Sequence, residues 1–309
     1  MGVDHVVLNF DESSLIALNV LIGLMMFGMA LGIETKDFRA LTKSPKPAAI
    51  GLTAQFILLP FATFLLTLVL DLTPSIELGM ILVAACPGGN LSNVMTYLGR
   101  GNAPLSVGMT AVSTAVAVVM TPLNFSVWGS LNPATNELLT SVSLNPFTLF
   151  VTIVVILGLP LGAGILLAKL KPALAARMEK PFKIFSVVTF VLFVLLALIN
   201  NWGIFVAHIG LLIGIVALHN AIALGLGNAS ARLAGLAPQD RRAVTFEVGL
   251  QNSALALVLI FTFFAGLGGM ALIATHVELG LGDIPTLEMT PPEADAHHQD
   301  DPFLAGSWV

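Results

Sequence analysis

The sequence predicts an all-α, polytopic membrane protein with about eight to nine transmembrane helices. The chain has 309 residues, of which 56% are hydrophobic and only 10% are charged, whereas soluble globular proteins carry roughly 25% charged residues. The apolar residues gather in long runs, and the lysines and arginines fall between these runs. Low charge, long apolar runs and separated basic residues together exclude a soluble globular domain and predict a bundle of spanning helices.

Eight apolar segments are long enough to cross a bilayer, because a spanning helix needs about 20 mostly apolar residues. They fall near 13–33, 48–70, 77–98, 104–128, 146–168, 182–200, 205–230 and 243–266. The links between them are short. We therefore expect neighbouring segments to run in opposite directions across the membrane.

The basic residues predict the orientation of these segments. All 13 Lys and Arg residues lie in alternate links or at their edges: Lys36, Arg39, Lys43 and Lys46, then Arg100, then Lys169, Lys171, Arg177, Lys180 and Lys183, then Arg232, Arg241 and Arg242. Because cytoplasmic loops carry an excess of Lys and Arg, we expect these links to face the cytoplasm. The chain is thus predicted to be a multi-pass protein of the cell (inner or plasma) membrane with its N-terminus outside.

The third segment is predicted to break within the bilayer. It reads "LVAACPGGNLSNVMTYLGR", with Pro87–Gly89 in the middle and the polar residues Asn90, Ser92 and Asn93 directly after. Proline removes a backbone donor and glycine is a poor helix former. Broken backbone at this depth is tolerated only against protein or water, so the break indicates a site.

The eighth segment carries polar residues at a similar depth. Its stretch "TFEVGLQNSALALVLI" contains Glu247, Gln251, Asn252 and Ser253. Segments three and eight run in opposite directions according to the charge pattern. Two interrupted helices in corresponding places of two halves are typical of inverted repeats with a binding site at the bilayer midplane.

Glu247 is the candidate centre of that site. It is the only one of 18 acidic residues predicted deep inside a segment, and no Lys or Arg is predicted at a similar depth to pair with it. Burying a carboxylate is costly unless it is paired, protonated or coordinated. Either a bound small monovalent cation or a protonated carboxyl that bridges helices would satisfy it. Oxygen donors for a cation are available in segments two to four: Gln55, Ser92, Asn93, Ser106 and Thr110.

Other polar residues are predicted to have structural roles. We expect the hydroxyls of Ser113 and Thr114 to bond to their own helix backbone. His219 is interpreted as a structural, hydrogen-bonded histidine, with a proton relay as the alternative. Asp71 and Glu77 are expected at the outer interface.

Three motifs resemble the signatures of a known family, the bile acid:sodium symporters. They are "CPGGNLSNVMTYLGRGN", "LSVGMTAVST" and "FEVGLQNS", and they occur in the family's order and spacing within a resemblance that covers about Ser14 to Phe264. The resemblance implies an inverted-repeat transporter with a core domain, a panel domain and two broken, crossed helices. The transporter domain would be 13–275, with the core at about 48–128 and 205–266 and the panel at about 13–33 and 146–200.

The resemblance also implies two sodium sites that share one carboxylate. The residues implied for site 1 are Ser92, Asn93, Ser106, Thr110 and Glu247. Those implied for site 2 are the side chains of Gln55, Glu247 and Gln251 and the backbone carbonyls of Val248 and Leu250. Asn90 and Asn252 would face the substrate cavity. Two Na⁺ would serve as coupling ions, and no other metal or cofactor is expected.

The implied function is sodium-coupled symport of a small organic anion, a carboxylate or a sulfonate, by alternating access. The expected partners are Na⁺, the organic anion and the lipid bilayer, and no nucleic acid. An enzyme is not expected, because neither an HExxH motif nor a nucleophile–base spacing is present. The alternatives are a membrane enzyme that uses Glu247 or His219, and a degenerate, non-transporting member of the family.

The sequence departs from the family pattern at both ends. Bacterial members commonly have an additional N-terminal helix, whereas this chain begins at the equivalent of their second. At the other end, residues 276–309 form a polar, acidic, proline-containing tail in place of the family's last core helix. We expect this tail to be disordered. One hypothesis is that it is read in a shifted frame after about Thr275, and the alternative is a genuine polar extension.

Overall fold

The structure, a computed structural model, is helical apart from short connections in the part of the chain that it describes. That part comprises residues 23–24, 27–28, 30–31, 41–42, 44–141, 146–200 and 202–264. It confirms the predicted all-α class. The polar tail and most of the first predicted segment lie outside the described residues, so the predictions about them stay predictions.

The helices follow the predicted segments in chain order. Their bounds are α1 (Pro45–Thr53), a π-helical turn (Ala54–Leu58), α2 (Leu59–Leu70), α3 (Pro74–Ala85), α4 (Asn90–Leu98), α5 (Ala103–Leu131), α6 (Pro133–Ser141), α7 (Pro146–Leu170), α8 (Pro172–Asn200), α9 (Trp202–Leu233), α10 (Pro238–Gly249) and α11 (Ser253–Phe264). Several helices start earlier than the apolar run that predicted them.

Membrane-spanning character is present in several of these helices. Within the described residues, three continuous helical stretches are long and apolar enough to cross a bilayer: Pro45–Leu70, Ala103–Leu131 and Ile213–Leu233. Shorter apolar helices lie at Pro74–Ala85 and Gly158–Leu170. These stretches fit a multi-pass membrane protein, while the total number of spans and the division into core and panel stay predictions.

The second predicted segment contains a local change of helix type. The α-helical pattern of α1 passes into a π-turn at Ala54, where the N–H of Leu59 bonds the carbonyl of Ala54. Pro60 follows immediately. Proline has no N–H and its ring clashes with the preceding turn, so the wider π-turn is a physical response to Pro60. The turn includes Gln55, one of the predicted site residues.

The third and eighth segments are both interrupted, as the polar stretches predicted. In the third segment, the helix ends at Ala85 and a second helix begins at Asn90. In the eighth segment, the helix ends at Gly249 and a second helix begins at Ser253. The two interruptions lie side by side as an isolated antiparallel bridge between Gly88 and Gln251. The N–H of Gly89 bonds the carbonyl of Leu250 at 2.9 Å, and the N–H of Asn252 bonds that of Pro87 at 2.8 Å. Each break thus supplies backbone partners that the other break lacks.

Small residues allow α10 to pack closely in the helix bundle. A Cβ added at Gly227 would lie 3.0 Å from Cα of Thr245, and one added at Gly249 would overlap the side chain of Leu224. A buried apolar cluster joins the π-turn and the helices α1, α2, α3, α5, α9 and α10. Its members are Ala48, Ala54, Leu59, Ala84, Leu105, Met109, Ala223, Ala231, Ala243, Val244 and Val248. This packing fixes α10, and therefore Glu247, against its neighbours.

Polar contacts group the connections at two ends of the bundle. At one end, Arg242 Nη1 bonds the carbonyl of Arg100 at 3.1 Å, and Asn102 Nδ2 bonds Asp240 Oδ1 at 2.7 Å. The four residues belong to two links that are predicted to be cytoplasmic, and the structure places these two links next to each other.

At the other end of the bundle, Glu77 is buried, with 2% of its surface exposed. Its carboxylate accepts hydrogen bonds from Leu72 N at 2.9 Å and Asn132 Nδ2 at 2.8 Å. The expected position of both residues at the outer interface stays a prediction. Asp71 is exposed, but Glu77 is buried inside a polar cluster that joins two connections. The reason is that the α2–α3 and α5–α6 connections fold over its side chain.

Candidate functional site

Glu247 lies near the end of α10, next to both helix breaks, and is 1% exposed. Ser92 donates a hydrogen bond to its Oε2 at 2.6 Å. Thr110 lies within hydrogen-bond distance of both oxygens, at 3.0 Å from Oε1 and 2.9 Å from Oε2. Ser113 reaches Oε1 at 3.4 Å. The partners that the structure gives this carboxylate are thus hydroxyl groups from α4 and α5.

The residues predicted for site 1 form one connected network around this carboxylate. Oδ1 of Asn93 accepts from Ser106 Oγ at 2.8 Å and lies 3.2 Å from Thr110 Oγ1. Ser106 and Thr110 stand one turn apart on α5, so their hydroxyls lie on one face. The structure therefore brings Ser92, Asn93, Ser106, Thr110 and Glu247 together.

The residues predicted for site 2 surround the helix breaks. Gln55 is fully buried on the π-turn and donates from Nε2 to the carbonyl of Cys86 at 2.8 Å. Gln251 is 3% exposed and donates from Nε2 to the carbonyl of Val248. The carbonyl of Leu250 accepts the backbone bond from Gly89.

Two buried amide oxygens at these positions have no hydrogen-bond partner in the part of the chain that the structure describes. They are Oε1 of Gln55 and Oε1 of Gln251. An unsatisfied buried polar atom usually costs about 1–3 kcal/mol. Amide and carboxylate oxygens are suitable ligands for hard cations, so a cation that contacted both oxygens would remove this cost.

Gly88 leaves the space that the Glu247 side chain fills. A Cβ built at Gly88 would overlap Oε1 and the carboxyl carbon of Glu247. At Gly89, a Cβ would lie 3.3 Å from the carbonyl oxygen of Gln251. The two glycines therefore allow the backbone of one break to approach the carboxylate and the backbone of the other.

Asn90 and Asn252 stand where the second helix of each broken pair begins. Asn90 is the first residue of α4, and its side chain lies outside the described part of the structure. Asn252 directly precedes α11, and its Oδ1 accepts a hydrogen bond from Leu255 N at 3.1 Å. Because the two breaks pair with each other, two helix N-termini, each with partial positive charge, lie in the same region.

Two polar residues near the carboxylate were not among the predicted ligands. Ser113 bonds its own helix at Thr110 O, 3.1 Å away, as predicted, but it also contacts Glu247. Thr96 donates to Ser106 Oγ at 3.2 Å. The spacing of Ser106, Thr110 and Ser113 on one helical face is the signal that could have included Ser113. Thr96 offers no comparable signal, because its contact depends on how α4 packs against α5.

His219 has the structural contact that the sequence favoured. Its Nε2 lies 2.9 Å from Thr63 Oγ1, and the residue is 1% exposed. This hydrogen bond joins α9 to α2. His219 is not among the hydrogen-bond partners of Glu247.

Comparison with known proteins assigns the chain to a family. The profile of the Sodium Bile acid symporter family matches residues 19–208 of the chain. The chain belongs to this family. It is 32% identical over 253 residues to the Uncharacterized sodium-dependent transporter YocS of Bacillus subtilis (strain 168). The aligned region covers 82% of this chain and 76% of that protein.

Eukaryotic relatives show similar identity over most of the chain. The Probable sodium/metabolite cotransporter BASS1, chloroplastic, of Oryza sativa subsp. japonica is 32% identical over 245 residues, or 79% of this chain and 58% of that protein. The Ileal sodium/bile acid cotransporter of Homo sapiens is 29% identical over 249 residues, or 79% and 68% of the two chains. The chain thus spans little more than half the length of the plant relative. These relatives are named as sodium-dependent transporters or cotransporters.

Proposed function

We propose that the protein is a sodium-coupled symporter of a small organic anion that works by alternating access. The observation that carries the proposal is the buried Glu247 carboxylate, which is surrounded by hydroxyl groups at the contact between two helix breaks. A buried charge requires a compensating partner. Na⁺ would provide that charge and would take the same oxygen atoms as ligands.

The oxygen atoms around Glu247 support the two Na⁺ positions that the family resemblance implies. In site 1, hydroxyl groups of Ser92, Ser106 and Thr110 would turn their lone pairs toward the ion, with Asn93 Oδ1 as a further ligand. In site 2, the partnerless amide oxygens of Gln55 and Gln251 would supply ligands, together with the carbonyls of Val248 and Leu250. Because Glu247 belongs to both sites, its loss would remove the only negative charge of the predicted ligand set.

The anion would bind next to the helix breaks. The N-termini of α4 and α11 both begin there, at Asn90 and Ser253. Helix N-termini present free N–H groups and partial positive charge, which favour anions. Bound Na⁺ would add positive charge in the same region. An organic anion, a carboxylate or sulfonate, would thus bind more tightly after sodium than before it.

Alternating access would come from movement of the panel against the core. The panel would include α7 and α8, and the core would include the broken helices and α9. We place the protein in the cell membrane with its N-terminus outside, on the strength of the basic links. This part of the proposal rests on the family resemblance and on the charge pattern.

Uptake of organic anions into membrane vesicles tests the function. Vesicles that contain the protein should accumulate at least one member of a panel of labelled carboxylates and sulfonates when a sodium gradient is imposed. A potassium gradient of equal size should give only the background of empty vesicles. Sodium-independent uptake by the wild-type protein would contradict sodium coupling.

Substitutions in the two sites sharpen this test. Glu247→Ala should abolish sodium-driven uptake, because both sites lose their shared charge. Gln251→Ala and Asn93→Ala should instead raise the sodium concentration required, because each removes one neutral ligand. Normal sodium-driven uptake by Glu247→Ala would overturn the site assignment.

A further inference from the structure

Gln55 lies on a π-turn that accepts a hydrogen bond from a side chain of α5. It lies on the π-turn Ala54–Leu58, directly before Phe56. In a regular α-helix, the carbonyl of Phe56 would accept the N–H of residue 60, but Pro60 has none. The π-turn therefore needs other hydrogen-bond donors next to a predicted ligand of site 2.

Asn124 on α5 supplies such a donor. Its Nδ2 bonds the carbonyl of Phe56 at 3.0 Å, and the residue is 7% exposed. The other end of the amide is also fixed, because Trp128 Nε1 donates to Asn124 Oδ1 at 3.1 Å. The ring of Trp128 in turn packs against the rings of Phe61 and Phe64 on α2, with centroids 5.5 and 5.3 Å away. A chain of contacts thus joins α5 to the π-turn and to α2, the helix that follows it.

Gln55 is fixed from the opposite side by the break after α3. The carbonyl of Cys86 would accept the N–H of residue 90 in a continuous helix, but it accepts Nε2 of Gln55 at 2.8 Å. On the same helix as Asn124, Thr121 Oγ1 bonds the neighbouring carbonyl of Ala85 at 2.7 Å. With its Nε2 engaged, Gln55 keeps Oε1 without a partner in the described part of the chain.

We propose that Asn124 is a positioning residue for the second cation site, acting through the π-turn on the side chain of Gln55. This inference rests on the proposed function. The hydrogen bonds found for Asn124 within the described residues reach no predicted ligand. Asn124 holds the Phe56 carbonyl, and the adjacent Gln55 thereby keeps its amide oxygen available. Since α5 also carries Ser106 and Thr110, one helix supports both cation sites.

Sodium-dependent thermal stabilisation of the purified full chain tests this role. Na⁺ would replace K⁺ at constant ionic strength, so that only the identity of the cation changes. Asn124→Leu keeps the approximate size of the side chain but removes the donor. It should raise the sodium concentration for half-maximal stabilisation by roughly three- to tenfold, the range expected for loss of one hydrogen bond. Trp128→Phe keeps an aromatic ring and should give a smaller rise in the same direction.

Two variants on the same helix serve as controls. Ser126→Ala removes a buried hydroxyl that has no hydrogen-bond partner in the described residues, so it should leave the sodium midpoint unchanged and should not lower the melting temperature. Phe125→Leu reduces a fully buried side chain, so it should lower the melting temperature at every sodium concentration and leave the sodium midpoint in place. If Asn124→Leu behaves like Phe125→Leu, the residue is merely structural and the inference is wrong.

The double variant separates this inference from the proposed function. If Asn124 acts through Gln55, then Asn124→Leu should cause no further rise in the sodium midpoint of a Gln55→Ala protein, because coupled residues are non-additive. Fully additive effects would overturn the positioning role. A Gln55→Ala protein with the wild-type sodium midpoint would instead contradict the second cation site and the proposed function with it.

Discussion

At the scale of single residues, the site depends on one buried carboxylate and on the absence of a side chain opposite to it. Glu247 is surrounded by the hydroxyls of Ser92, Thr110 and Ser113. Gly88 lies so close that a Cβ there would overlap the carboxylate. The requirement for glycine here is thus steric and does not depend on a positive φ angle.

Gly88→Ala should impair sodium binding while the protein still folds. The added methyl group must displace either the carboxylate or the paired backbone, and overpacking of this kind typically costs about 1–3 kcal/mol. We expect the sodium midpoint of thermal stabilisation to rise by about tenfold or more. Gly225→Ala on α9 is the matched control, because a Cβ there has no neighbour within 4 Å. An unchanged midpoint in Gly88→Ala would show that this close approach is unimportant for the ion.

The sequence was informative about which residues the site contains and uninformative about how they are supported. The cost of burying a carboxylate identified Glu247 and its oxygen donors, and the structure brings the predicted side chains of site 1 into one network. Asn124 could not be identified in this way. An asparagine inside an apolar helix gives no indication of which distant carbonyl it bonds.

At the scale of helices, the two breaks stabilise each other. Their backbones pair through Gly89, Leu250, Pro87 and Asn252. Side chains bond two further carbonyls beside the first break: Thr121 bonds that of Ala85, and Gln55 bonds that of Cys86. In a membrane each unsatisfied backbone group is costly, so these contacts explain how broken helices persist in the interior of the bundle.

Apolar runs predicted the helices well and their ends less well. For example, the run 182–200 predicted a helix that begins at Pro172, and the run 205–230 predicted one that covers Trp202–Leu233. Hydropathy marks only the apolar part of a helix, whereas backbone hydrogen bonding continues through polar residues. The π-turn before Pro60 was not predicted, because a proline in a helical pattern is compatible with a kink, a break or a π-turn.

The polar cluster at Glu77 should contribute to stability without contributing to sodium binding. Asn132 ends α5, bonds Glu77 with its Nδ2 and accepts the N–H of Ala134 on its Oδ1. Asn132→Leu should therefore destabilise the protein by about 1–3 kcal/mol, because it removes a partner of a buried carboxylate. The free energy of unfolding would be measured by denaturation in detergent. The sodium midpoint of thermal stabilisation would be measured beside it and should stay unchanged.

Glu137→Gln is the control for the Asn132 variant. This residue is exposed on α6, close in sequence to Asn132, and its substitution should leave stability unchanged. A shifted sodium midpoint in Asn132→Leu would contradict the separation of the Glu77 cluster from the cation sites.

At the scale of the whole molecule, the contacts group the links in the way the basic residues predicted. Arg100 and Arg242 meet at one end of the bundle, and Leu72 and Asn132 meet Glu77 at the other. The positive-inside rule predicts that the end with the basic links faces the cytoplasm. The predicted division into core and panel cannot be read from hydropathy, because apolar runs occur in both predicted parts.

Cysteine labelling in intact cells tests this orientation. In a Cys86→Ala background, Glu137→Cys should react with a membrane-impermeant maleimide, because α6 is expected outside. Arg177→Cys should react only after the membrane is permeabilised. Both positions are exposed in the structure, so access to reagent depends on the side of the membrane. The reverse pattern of labelling would overturn the proposed topology.

The central claim is that Glu247 makes this family member bind sodium, and sodium titration of the purified protein tests it most directly. Thermal stability would be measured while Na⁺ replaces K⁺ at constant ionic strength, for the wild-type protein and for Glu247→Gln, which keeps the size of the side chain and removes its charge. We predict saturable stabilisation of the wild-type protein by Na⁺ and a flat response in Glu247→Gln. An equal sodium response in the two proteins would contradict the claim.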